Sequence, residues 1–307
     1  GRMAWYALRA VGESVSAARR LLAGASLSAW LRFAVLASFV GTLITPFLTD
    51  FNRGGSVLAA LPETATAGLL AAAVVLGAAA LCVGSVFEFV FLDALRGERI
   101  RLVADSARRF RAGLQVFALR VVLVALAGGL SVAVLSFEPP AALAVCALVL
   151  ALACLAIDHL TRAFVVPIML LEGCSLAAGW RAFSPALGAE WREYALYLLI
   201  AAALWAAIAL GGGLLGALVA LVVLVPFGAL GTAVGGALVA QGLSRSVVDQ
   251  AIIGTLLGPY LLVVLLLILL VHVPFVTYLR YVGLFVLGDT EERYDPIPRV
   301  RATIRRD

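Results

Sequence analysis

The stretch Phe87-Glu88-Phe89-Val90-Phe91-Leu92-Asp93-Ala94-Leu95-Arg96-Gly97-Glu98-Arg99-Ile100-Arg101 decides the fold. An apolar run with two acidic residues in it passes within a few positions into a segment dense in arginine. It reads as a transmembrane helix leaving the bilayer on its basic side and stopping at Gly97, because glycine accepts the left-handed turn that ends a helix. Leu171-Glu172-Gly173 and Val286-Leu287-Gly288 have the same form. Three helical hairpins, each leaving the membrane through such an exit, would account for the repetition.

Composition agrees. Hydrophobic residues make up 64% of the chain and charged residues 13%, against roughly half and a quarter in a soluble domain. Several apolar runs exceed the roughly 18 to 20 residues a helix needs to cross the hydrocarbon core, and the alternating segments of a β-barrel are absent. Every basic residue is arginine, with no lysine; this excludes a lysine-dependent phosphate loop and fits a biased genome. Nucleic acid is not the expected partner, since the arginines flank membrane spans, where lipid head groups lie nearer. Cys82, Cys146, Cys154 and Cys174 have neither paired spacing nor a histidine cluster and read as small apolar residues.

Working outward, residues 4 to 24 place Trp5, Leu8, Val11, Val15 and Leu22 near one face, as in an amphipathic helix lying in the interface. Spans follow at about 27–48, 66–95, 114–137, 141–171, 194–225 and 251–287. Between the second and third, Val103, Ala107, Phe110 and Leu114 can share a face of a second interfacial helix capped by Asp105. Glu138-Pro139-Pro140 breaks the third span from the fourth, and Ser175 can cap the helix after Gly173. Gly211-Gly212-Gly213 and Pro274 are expected to interrupt the last two spans, leaving a re-entrant or seventh segment open near 214–244. Residues 291–307 look like an extended tail beyond an integral membrane domain at 1–290.

The arginine distribution sets the topology. With six spans only Arg53 and Arg245 fall on one side, and the positive-inside rule places both termini in the cytoplasm of a plasma-membrane protein. Arg96, Arg99, Arg101, Arg108, Arg109 and Arg111 would form a basic collar touching lipid head groups.

Charges inside a membrane need partners, so Glu88, Asp93, Arg120, Asp158, His159 and Arg162 form the candidate intramembrane cluster. Asp158 and Arg162 lie four apart and share a helix face. Two readings stand: ion pairs that fix helix packing, or a proton- or ion-coupled site. His272 beside Pro274 would bond a carbonyl freed by the proline. Two histidines in different spans do not suggest a metal site, and no catalytic residue or cofactor is expected. Gly173-Cys174-Ser175-Leu176-Ala177 only approaches a nucleophile elbow and lacks its last glycine.

Met3-Ala4-Trp5-Tyr6-Ala7-Leu8, Trp30-Leu31-Arg32, Phe91-Leu92-Asp93-Ala94-Leu95-Arg96, Glu190-Trp191-Arg192-Glu193-Tyr194 and the run from Tyr278-Leu279-Arg280-Tyr281 to Leu287-Gly288-Asp289 resemble a haloarchaeal family of multi-pass membrane proteins of unknown function. That family is distantly similar to the membrane domain fused to some glycerophosphodiester phosphodiesterases. The resemblance implies a helical membrane domain and brings no catalytic residues with it.

The expected fold is therefore an all-α, six-span transmembrane helix bundle with interfacial helices. The first expected function is a non-enzymatic scaffold or a module that binds lipid or a partner protein, with self-association as a further outcome. The alternatives are a small-molecule or ion transporter working through broken helices near 211–213 and 272–274, and an intramembrane lipid-processing enzyme.

Overall fold

The computed structural model describes residues 6–40, 63–97, 101–137 and 141–304. Trp5, the loop at 49–62, Arg99 and the Glu138-Pro139-Pro140 breaker lie outside the described residues. Among the described residues there is no strand. In chain order the elements are α1 (Tyr6–Ala23), α2 (Leu27–Val40), α3 (Glu63–Leu95), α4 (Leu102–Phe137), α5 (Ala141–Leu160), a π-helical turn (Thr161–Val165), α6 (Val166–Glu172), α7 (Leu176–Ala189), α8 (Trp191–Ala240), α9 (Arg245–Thr290), a 3-10 turn (Glu292–Tyr294) and α10 (Pro298–Ile304). Five helical stretches are long and apolar enough to cross a membrane, while α2 is a shorter apolar helix.

The expected helix stops are real at two of three places. Gly97 at φ 85° and Gly173 at φ 63° end α3 and α6 in the left-handed conformation. At Gly288 the expectation fails: α9 runs on to Thr290, and Gly288 is buried beneath the side chains of Arg301 and Asp295. A glycine is needed there for space rather than for a turn.

Other expected boundaries also dissolve. The interfacial helix foreseen before the third span is the first part of α4, which continues to Phe137 without a break. Asp105 sits inside its first turn and accepts the backbone N–H of Arg101 at 2.8 Å, so it caps from within rather than from the end. The expected interruptions at Gly211-Gly212-Gly213 and Pro274 are likewise absent: α8 is continuous through 50 residues and α9 through 46. In lipid no water competes for the backbone, so a helix continues through glycine, and the carbonyl that a proline leaves without its N–H partner is accommodated by neighbouring groups or local adjustment rather than by a break. The expected extended tail instead contains the 3-10 turn and α10. Arg301 pairs with Asp289 and Asp295 and donates to the Phe285 carbonyl at 3.2 Å. Ser175 caps α7 as expected, accepting from the Ala178 N–H at 3.4 Å.

α9 is the central element, packing against α1, α2 and α8, while α2, α3, α4 and α5 pack in succession. The buried core lies at one end of these helices. Residues 84–86 and 88–95 of α3, 160–170 across α5, the π turn and α6, and 281–288 of α9 are buried, whereas the other halves of the helices expose their apolar side chains, with Val74 72%, Leu214 74% and Leu262 68% exposed. Water would not tolerate such a surface, and lipid does. At about 1.5 Å per residue α8 is roughly 75 Å long, more than twice the roughly 30 Å hydrocarbon thickness. Tilting of the α8–α9 hairpin, or cover over its distal half, must accommodate the difference.

Inside the core the close approach of α3 and α4 depends on Gly113, where an added Cβ would lie 2.7 Å from the Cα of Val86. Gly113→Ala is expected to destabilise the protein by about 1–3 kcal/mol, while Gly128→Ala in the same helix, which meets nothing within 4 Å, should be neutral or stabilising. Thermal unfolding of both variants in detergent checks this.

Candidate functional site

The buried end of the bundle holds a network of charged side chains from five helical segments. Glu88 of α3 is fully buried. It pairs with Arg280 of α9 and lies 3.7 Å from the Arg162 guanidinium. Arg162 reaches Asp158, one turn earlier, at 2.8 Å, and Asp158 also pairs with Arg120 of α4 at 3.1 Å. Arg120 donates to Ser85 Oγ at 3.4 Å. The chain of contacts runs Arg280, Glu88, Arg162, Asp158, Arg120, and it fastens α9, α3, the π turn, α5 and α4 together.

The π turn gives this network its geometry. Pro167 has no N–H, and its ring crowds the carbonyl one turn earlier. The chain absorbs the conflict by widening Thr161–Val165, where the Val166 N–H reaches back five residues to the Thr161 carbonyl. Widened turns leave carbonyls unpaired and are frequent at functional sites. Here the Arg162 carbonyl accepts from Arg280 at 3.1 Å, so one arginine binds both a carboxylate and the widened backbone.

The six candidate residues do not form one cluster. Glu88, Arg120, Asp158 and Arg162 meet as described. Asp93 belongs to a second network nearer the helix exit, where Arg109 grips it through Nε at 3.2 Å and a terminal nitrogen at 3.3 Å, and Arg96 and Arg108 stand within 4.0 Å. His159 joins neither set. Its Nε2 hydrogen-bonds the Tyr197 hydroxyl at 3.0 Å and the two rings stack. His272 Nε2 is buried without a hydrogen-bond partner among the described residues, so the expected bond from this atom to a carbonyl freed by Pro274 is not made.

Sequence reasoning missed Arg280, Tyr197 and Ser85. Arg280 had a signal: it stands a little over two turns before Gly288, much as Glu88 stands before Gly97, so the two share a depth. Tyr197 had none, since an aromatic residue at the start of a span is ordinary interface furniture. Tyr281 was also missed; its hydroxyl donates to the Leu95 carbonyl at 3.1 Å and satisfies the end of α3.

Of the expected collar, Arg101, Arg108 and Arg111 are exposed, while Arg96 and Arg109 are partly buried over Asp93. Next to Arg101, Arg108 and Arg111 the α4 surface leaves Val103, Ala107, Phe110 and Leu114 exposed. At the α6–α7 junction, burial and the Glu172 carboxylate push the Cys174 thiol above its ordinary range, which keeps it protonated and a poor nucleophile.

Two spaces flank the network. A cavity of about 30 Å³ is bounded by His159, Arg162, Tyr197 and Arg280 on its polar side and includes Trp205 and Leu279. A groove of about 480 Å³ between α1, α8 and α9 reaches Gly211, Gly212 and Pro274, with Arg19 its one charged wall residue among the described residues. That groove touches the glycines expected in a transport path, but its walls are apolar and suit a hydrocarbon chain better than an ion. No group of three or more histidine, cysteine or acidic side chains converges among the described residues.

These features define a helical membrane protein with a buried network of ion pairs at one end of its helices. The chain belongs to a family described as "Family of unknown function (DUF7544)", whose profile matches residues 5–297. No curated protein and no solved structure matches it. The resemblance therefore rests on a family of unknown function; the haloarchaeal source and the likeness to a phosphodiesterase membrane domain find no support in these comparisons.

If Glu88 holds the network together, Glu88→Gln strands Arg280 and Arg162 in a desolvated site and should cost about 3–5 kcal/mol. The double variant Glu88→Gln/Arg280→Gln should recover part of that loss, because one of the two stranded charges is gone. A double-mutant cycle measured by unfolding in detergent reads both.

Proposed function

We propose that the protein is a non-enzymatic integral membrane module whose basic end binds anionic lipid. The observation that carries this reading is the exposed face of α4: Val103 at 85% exposure and Phe110 at 50%, with Ala107 and Leu114 along the same line, beside the exposed Arg101, Arg108 and Arg111. Large apolar side chains next to arginines on a helix surface suit the boundary between head groups and acyl chains. α1 supports the same reading. Its small residues Ala7, Ala10, Ser14 and Ala17 are buried and the helix packs on α9, while Leu8 and Val15 face outward beside Arg19. The apolar groove with Arg19 in its wall suits an acyl chain.

The topology belongs to the proposal. The pairing of Arg9 in α1 with Asp289 at the end of α9 at 2.8 Å supports a reading in which these two segments lie on one side and the crossings are even in number. In that reading α2 is the sixth span beside the five long helices. The concentration of arginine on that side favours the cytoplasm of the plasma membrane. The networks around Glu88 and Asp93 act in this reading as fasteners that hold the collar in shape. The continuity of α8 and α9 removes the broken helices on which transport was expected to rest.

Protein purified in mild detergent should retain anionic phospholipid in preference to zwitterionic phospholipid, as read by native mass spectrometry. Arg101→Gln/Arg111→Gln should weaken binding to anionic vesicles by about 1 kcal/mol per arginine, and the preference should fade as salt rises. Equal retention of both lipid classes would overturn the proposal. Labelling of single cysteines placed at the N-terminus and in the tail should report the same side of the membrane.

A further inference from the structure

The ionic network does not balance. Arg120, Arg162 and Arg280 face only Glu88 and Asp158 in their ion pairs among the described residues, which leaves one positive charge in excess. Arg162 is only 8% exposed, and its Nε is buried with no hydrogen-bond partner among the described residues. An uncompensated charge at this depth costs several kcal/mol. Directly beside it lies the cavity whose polar wall is His159, Arg162, Tyr197 and Arg280. Arg162 and Arg280 offer only N–H donors there. The hydroxyl of Tyr197 can also turn its hydrogen to the cavity when the His159 ring donates the bond between them. Among the described residues no carboxylate lines this space. A volume of about 30 Å³ exceeds the roughly 10–15 Å³ that one water-sized sphere fills, so a small ion fits beside these donors.

We propose that this cavity binds a monovalent anion of halide size, which neutralises the excess charge and completes the network between α5, α8 and α9. The anion is recognised by charge and by N–H and O–H donors, with the apolar wall of Leu92, Trp205 and Leu279 excluding water. The inference stands apart from the lipid-binding collar, which uses other residues.

Purified protein is transferred to sodium gluconate, whose anion is too large to enter, and titrated with sodium bromide at constant ionic strength. The unfolding midpoint should rise with bromide, and bromide anomalous scattering from crystals should give a peak between Arg162, Tyr197 and Arg280. Arg120→Gln removes the excess charge without touching the cavity wall and should weaken bromide binding about tenfold or more. Should that variant fail to fold, Tyr197→Phe removes one donor and should lower bromide affinity while leaving the gluconate midpoint near that of the unaltered protein. Equal midpoints in gluconate and bromide with no anomalous peak would overturn the proposal, as would a co-purified phospholipid whose phosphate occupies the same place. Loss of lipid preference at the collar with retained bromide binding would sink only the lipid reading.

Discussion

Everything at the buried end of this protein depends on a carboxylate that has no access to solvent. Glu88 is fully buried on α3, and an ionised group in that position is tolerable only when cations meet it. Arg280 and Arg162 supply them, and each commits a different part of the chain to the same point. α9 cannot slide along α3 without breaking the Arg280 contact, and the π turn cannot relax without losing the Arg162 carbonyl's donor. The paired charges add specificity more than net stability, since buried ion pairs rarely outweigh the cost of drying them.

The same economy explains the uneven core. Aromatic packing gathers where the charges are, with Phe164 meeting Phe183, Tyr194 and Tyr197 at centroid distances of 4.9–5.3 Å. The opposite halves of the helices have few such contacts and show leucine and valine outward. In hydrocarbon, apolar side chains gain nothing by leaving lipid for protein, so only packing and polar contacts hold helices together. The ion pairs around Glu88 lie at one end, while the far halves of α8 and α9 are joined by the close approach of Gly231 and Gly235 to Ile252 and by the Tyr260 hydroxyl donating to the Ala220 carbonyl at 3.2 Å.

Much of this was readable from residue order. The repeated exits at Gly97 and Gly173, the cap at Ser175 and the pairing of Asp158 with Arg162 follow from local rules of spacing and conformation, and the structure keeps them. What failed shares one cause. Glycine and proline were read as punctuation at 211–213, at Pro274 and at Gly288, and that reading holds for helices in water. In lipid the backbone has no other partner, so helices continue and the small residues serve close approach instead. The partition of six candidate residues into two networks was not readable, because it depends on depth and rotation across helices far apart in sequence. The π turn had its sign in Pro167, whose lost N–H could equally have produced a kink. Arg280 was hidden by its company, a run of tyrosines that suggests an interface.

The sequence separation of the Glu88–Arg280 pair bears on how the protein is made. During synthesis α3 enters the membrane long before its partner in α9 exists, since Glu88 and Arg280 are 192 positions apart. In that interval Glu88 can lean only on water at the membrane surface or on Arg162 once the fourth apolar stretch has arrived. A chain interrupted before α9 would therefore hold an exposed intramembrane acid, and that is a mark by which membrane quality control could tell an unfinished copy from a finished one. α9 closes the lock and in doing so marks the bundle as assembled.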